Sequence, residues 1–169
     1  MPRAVALLSA LLLLVAVPVA DGARKSPSGK SQKGGSQKGV SKKGSKRSDR
    51  LSGTSRNDTI KGGRGNDVIR GRGGNDRLYG GAGDDVIAGD AGKDRISGGS
   101  GDDTLLGGAG NDRITGGAGS DTISAGNGND VINAADGERD EITCGSGRDR
   151  VTADREDSVD RDCERVKRK

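Results

Sequence analysis

The chain has 169 residues, with 32 glycines, one tyrosine and no Phe, Trp or His. So little aromatic and apolar content excludes an ordinary globular core, and the lack of histidine removes Ser-His and Cys-His pairs and most zinc hydrolase sites. The formal charge of +4 is unevenly spread: residues 24–50 carry ten Lys or Arg against the single Asp49, whereas residues 51–169 carry 18 Lys or Arg against 23 Asp or Glu.

Met1, Pro2 and Arg3 precede a leucine-rich apolar run from Ala4 to Val17, followed by small and helix-breaking residues around Pro18, Ala20 and Gly22. This order predicts a cleavable signal peptide over residues 1–22 and a secreted protein. The run is short for a membrane span, so no transmembrane segment is expected in the mature chain. Residues 23–52, rich in Lys, Ser and Gly, read as a flexible basic linker. Residues 24–50 also admit electrostatic attachment to an anionic cell-surface polymer. No aromatics interleave the lysines, so no specific nucleic-acid partner is indicated.

From Gly53 the chain reads in blocks of nine: GTSRNDTIK, GGRGNDVIR, GRGGNDRLY, and so on to AGNGNDVIN, with no gap as far as Asn133. Position six is always aspartate: Asp58, Asp67, Asp76, Asp85, Asp94, Asp103, Asp112, Asp121 and Asp130. Position eight is always Ile or Leu, from Ile60 to Ile132. A strict nine-residue period of this kind marks a stacked solenoid. The register then loosens. Ala134–Thr143 has one residue too many and Ala153–Asp160 one too few, as expected of a capping end.

Each column has a physical task. Glycines at positions one, two and four permit positive φ and close backbone approach, which predicts a six-residue turn. Positions seven to nine are left for a strand, with position eight pointing into the core. Positions seven and nine hold mostly Thr, Val, Arg, Lys, Ser, Ala and Asn in no fixed order, as solvent-facing sites do. Turn plus strand reverses the chain only halfway, so two units make one coil, and roughly six coils are expected over residues 53–160. Aspartates of alternate units then line each edge in adjacent coils.

Such carboxylate columns repel one another, and one buried aliphatic per nine residues falls short of the backbone entropy it must offset. A cation has to close the coil. The candidate ligands are all oxygens, carboxylates and turn carbonyls, and six to eight flexible oxygens suit Ca2+ better than Mg2+. Several calcium ions are therefore expected, with folding linked to their binding.

The GGxGxDxUx units from Gly62 to Thr115 resemble the haemolysin-type, or RTX, calcium-binding repeats. The resemblance implies an all-β fold, a parallel β-roll or β-helix solenoid, with calcium between adjacent turns. It assigns metal ligation to the nine position-six aspartates and to main-chain oxygens of the glycine turns. The best-formed turns begin at Gly62, Gly80, Gly98, Gly107 and Gly116. Weaker sites are expected at the first unit, where Thr54 and Arg56 replace glycines, at Gly89-Asp90-Ala91, and where Lys93 adjoins Asp94.

Residues 161–169 form a basic tail containing Cys163. Export favours pairing of Cys144 with Cys163. Their separation of 19 residues is close to two units, one coil, and coils stack about 4.8 Å apart, within disulfide reach. Catalysis is not expected: acid pairs such as Asp84 with Asp85 and Asp102 with Asp103 belong to the nine-residue repeat and serve structure rather than a unique cleft. A surface or matrix adhesion protein, using the calcium-stabilised roll as a binding face, is the alternative reading.

Overall fold

The structure, a computed structural model, describes residues 39–169; the expected signal peptide over 1–22 and the linker up to residue 38 lie outside the described residues. Among the described residues fifteen strands follow one another. The first are β1 (Ser41–Lys43), β2 (Arg50–Ser52), β3 (Thr59–Arg64), β4 (Val68–Gly73) and β5 (Arg77–Ala82). Then come β6 (Val86–Ala91), β7 (Arg95–Ser100), β8 (Thr104–Ala109), β9 (Arg113–Ala118) and β10 (Thr122–Asn127). The last are β11 (Val131–Asn133), β12 (Glu141–Ser146), β13 (Arg150–Ala153), β14 (Ser158–Val159) and β15 (Arg165–Arg168).

Consecutive strands alternate between two parallel sheets. The odd-numbered strands stack in order in an eight-stranded sheet and the even-numbered ones in a seven-stranded sheet. The chain is thus a parallel β-roll of about seven turns, one more than the nonapeptide count predicts. Position-eight residues pair with one another in register, Ile60 with Leu78, Leu78 with Ile96 and Ile96 with Ile114 in one sheet, and Ile69 with Ile87 and Ile87 with Leu105 in the other. All of them are buried, and together they form one continuous core between the sheets.

The full strands are six residues long, not three. They run from position seven through position three of the next unit, because glycines at positions one and two stay extended enough to keep stacking, as Gly63 on Gly81 shows. The turn proper shrinks to positions four to six. Position two takes a left-handed φ, +125° at Gly63 and +130° at Gly81. Arg72 (φ 82°) and Asp90 (φ 72°) hold the same backbone without glycine, at about 1–2 kcal/mol each. They face each other in register, and Asp90 accepts a hydrogen bond from Arg70 Nε at 2.6 Å.

The stacked strands also extend beyond residues 53–160 at both ends. β1 and β2 lie in the segment read as linker, and β15 lies in the segment read as tail. Gly44, Asp49 and Leu51 occupy positions one, six and eight of a further unit whose glycine-poor turn, Ser45-Lys46-Arg47, hides it in the basic stretch. Leu51 packs against the core. At the other end, the extra residue of Ala134–Thr143 is absorbed in the turn before β12, so that Ile123 still pairs with Ile142.

Candidate metal centre

The nine aspartates read from the sequence form two buried columns, each side chain no more than 2% exposed. Asp58, Asp76, Asp94, Asp112 and Asp130 precede strands of the odd-numbered sheet, and Asp67, Asp85, Asp103 and Asp121 precede strands of the even-numbered one. Within a column each Oδ1 accepts the backbone N–H of the residue one coil earlier, which is Val40 for Asp58 and an aspartate for the rest. Asp58 N donates to Asp76 Oδ1 at 2.7 Å, Asp76 N to Asp94 at 2.7 Å, and Asp85 N to Asp103 at 2.8 Å. The ladders run past the nine. Asp49 N donates to Asp67, Asp121 N to Asp140 and Asp130 N to Asp149, and Asp149 N finds Glu164 Oε2 at 2.8 Å.

The second oxygen behaves differently. Oδ2 of Asp67, Asp76, Asp85, Asp94, Asp103, Asp112, Asp121, Asp130, Asp140 and Asp149 is buried without a hydrogen-bond partner. A buried carboxylate oxygen left so is costly, and a run of ten is not how a neutral core is built. From Asp67 to Asp121 each orphan faces the glycine at position one of its own unit. A Cβ on Gly62 would sit 2.2 Å from Asp67 Oδ2 and 2.6 Å from the carbonyl oxygen of Gly80, and Gly80 and Gly98 repeat the arrangement with Asp85 and Asp103. At Gly107 the two oxygens are Asp112 Oδ2 and the Ala125 carbonyl, while Gly116 faces Asp121 Oδ2. Carboxylate and carbonyl oxygens thus converge on a space that only glycine leaves open, which fits a hard cation taking oxygen ligands.

Burial raises these carboxyls. Desolvation pushes Asp76, Asp94, Asp112 and Asp121 up to about 6 and Asp103 and Asp140 to about 7, opposed by the N–H each accepts and reinforced by neighbouring aspartates. Asp85, Asp130 and Asp149 shift the same way for the same leading reason. A bound cation would reverse the effect by favouring the ionised form.

The end units close themselves. Where position two is Ser45, Thr54 or Asp154, its N–H turns onto the Oδ2 of Asp49, Asp58 or Asp157 at 2.6, 2.5 and 2.6 Å. Toward the C-terminus, position one is no longer glycine but Ala125, Ala134, Cys144 and Ala153, all buried, which places a Cβ where the interior leaves space, while Oδ2 of Asp130, Asp140 and Asp149 stays unpartnered. Cys144 and Cys163 are disulfide-bonded, with Cα atoms 5.2 Å apart, and Asp162 accepts the N–H groups of Cys144 and Gly145. Among the described residues, Cys144, Asp162 and Cys163 are the one set of three Cys, Asp or Glu ligand atoms within 4.8 Å. The disulfide engages both sulfurs. A cation between coils therefore has to draw on main-chain oxygens as well as carboxylates.

One column escapes a unit-by-unit reading. Position-five side chains bridge the exposed turns: Asn57 Oδ1 accepts Asn75 N, Asn75 Oδ1 accepts Lys93 N, and Asn66 Oδ1 accepts Asp84 N. The signal was the abundance of Asn and Asp at position five. These ladders hold the turns in step.

The RTX calcium-binding nonapeptide repeat (4 copies) family model matches residues 44–78, 70–105 and 106–140. Its first match begins at Gly44, the unit hidden in the basic stretch. No curated protein matches the chain. With a period-nine parallel roll, buried aspartate columns and a family match over more than half its length, the chain belongs to the RTX calcium-binding nonapeptide repeat family.

Proposed function

We propose that this is a secreted, non-enzymatic protein whose roll assembles around several calcium ions held between adjacent coils. The ions are bound by Oδ2 of the interior position-six aspartates, Asp67 through Asp121, and by carbonyl oxygens of the turns opening at Gly62, Gly80, Gly98, Gly107 and Gly116. The run of buried, unpartnered Oδ2 atoms carries this reading, because each marks a charge that the protein itself leaves without compensation. The Cys144–Cys163 disulfide supports an oxidising compartment. Affinities of extracellular modules, about 10⁻⁴–10⁻³ M, would make export the trigger for folding.

Circular dichroism of the mature chain, titrated separately with calcium and magnesium, tests the proposal. A cooperative gain of β signal with calcium alone is expected. A spectrum indifferent to calcium, or equally responsive to magnesium, would overturn it.

A further inference from the structure

The two faces of the roll differ in charge. Strands of the odd-numbered sheet contain eleven Lys or Arg and no Asp or Glu, whereas those of the even-numbered sheet contain three basic and two acidic residues. On the even-numbered sheet Arg70 is neutralised by Asp90 at 2.6 Å. The excess on the odd-numbered sheet is ordered. Arg77, Arg95 and Arg113 occupy position seven of β5, β7 and β9 and are direct partners in register. Beyond Val131 the same row continues with Arg150 and Arg165.

All five arginines are exposed, and none makes an ion pair or side-chain hydrogen bond among the described residues. Like charges placed directly opposite in a sheet are destabilising. The turns leading into β3 through β13 add no counter-charge at position five, where they carry Asn57, Asn75, Lys93, Asn111, Asn129 and Arg148; the turn before β15 carries Asp160, Asp162 and Glu164 beside Arg165, and Asp84 and Asp102 lie at the opposite edge. A depression of about 410 Å³ runs beside the row, lined by Lys93, Arg95 and Arg113 with Asn75, Asn111 and Asn129, and takes in the buried Asp94 and Asp112.

We infer that this arginine row is a docking surface for an extended anionic polysaccharide carrying one charge per sugar. Guanidinium forks match carboxylate oxygens in pairs. The row repeats at the strand spacing of about 4.8 Å, close to the length of one sugar ring of about 5 Å, so successive arginines meet successive charges. Phosphates of a nucleic-acid strand, at about 3.4 Å per residue along the axis, fall out of step, and the face has only Tyr79 for stacking, which Lys61 Nζ covers at 5.6 Å. The surface needs a folded roll, and so rests on the proposed calcium assembly only through the fold.

The test uses the full mature chain in calcium, with a hexameric oligouronate, short enough to stay soluble, and a duplex DNA of similar charge as probes. Position seven is threonine at Thr59, Thr104 and Thr122, so the triple variant Arg77→Thr, Arg95→Thr, Arg113→Thr keeps a residue native to the site. A control triple, Arg139→Ser, Arg155→Ser, Arg161→Ser, removes equal charge from outside the odd-numbered sheet. Calcium-dependent dichroism, followed for every variant, reports the fold separately from binding.

The wild type and the control should bind the oligouronate, and the row variant should bind at least tenfold more weakly, with its salt dependence shallower by about two in log–log slope. Oligouronate binding that is absent in the wild type, unchanged in the row variant, equally reduced in the control, or no tighter than DNA binding would overturn the inference.

Discussion

The interior coils and the terminal coils are built from one template and close by different means. In the interior, glycine at position two swings its backbone left-handed and leaves Oδ2 of the aspartate unpartnered, as at Gly99 and Asp103. At the ends, Ser45, Thr54 or Asp154 at position two delivers an N–H to that oxygen. In the last coils, alanines and a disulfide cysteine fill the space at position one, although Oδ2 of Asp130, Asp140 and Asp149 still lacks a partner. One side chain or backbone choice thus separates a unit awaiting a cation from a unit that closes itself, and glycine here shapes a site as much as a turn.

Three changes would break or sharpen this contrast. The largest effect is expected from Gly98→Ala, whose Cβ would lie 2.1 Å from Asp103 Oδ2 and 2.7 Å from the Gly116 carbonyl. Overpacking of this kind costs about 1–3 kcal/mol. The calcium midpoint followed by dichroism should rise by about tenfold or more, and an unchanged midpoint would mean that this space holds no ion.

Acidification comes next. Carboxyls whose pKa is raised on folding penalise the roll when ionised. The penalty is absent below the ordinary value of 3.8, grows as pH rises through about 6 for Asp94 and Asp112, and is complete above about 7, where Asp103 titrates. Without calcium, β signal should therefore increase from pH 8 toward pH 4. With calcium, the midpoint should move to higher concentration over the same interval as protons compete for the columns. A calcium midpoint independent of pH would argue against aspartate ligation.

The smallest effect belongs to Thr54→Gly, which converts an end unit toward the interior pattern. Losing the Thr54 hydroxyl, which donates to Asp58 Oδ2 at 3.1 Å beside the Thr54 N–H, should cost about 1 kcal/mol without calcium, while calorimetry should count one additional calcium ion. An unchanged stoichiometry would show that the N–H does not stand in for a cation.

Much of this was legible in the sequence. Purity at positions six and eight gave the two columns and the core, because both recur in every unit. What stayed hidden has a period of two units. Position seven looks unordered when read every nine residues, yet Arg77, Arg95 and Arg113 recur every 18, and only the assignment of alternate units to opposite sheets collects them. The unit from Gly44 was obscured because Asp49 and Leu51 are in place while the glycines after Gly44 are missing. Strand length was misjudged because glycine signals a turn by default, whereas Gly63 and Gly81 continue the ladder. The closure of the end units was invisible because it depends on where a single N–H points.

The outermost strands of the odd-numbered sheet carry a further consequence. A roll made of near-identical coils offers a first coil that matches its own last, so copies could join head to tail in a contact that never closes, the geometry of a growing fibre. β1 reads Ser-Lys-Lys and β15 reads Arg-Val-Lys-Arg, with every residue of both exposed. Among the described residues, positive charge on both outermost strands of this sheet opposes such a junction, so the same basic residues that end the ladder also work against its continuation into a second copy.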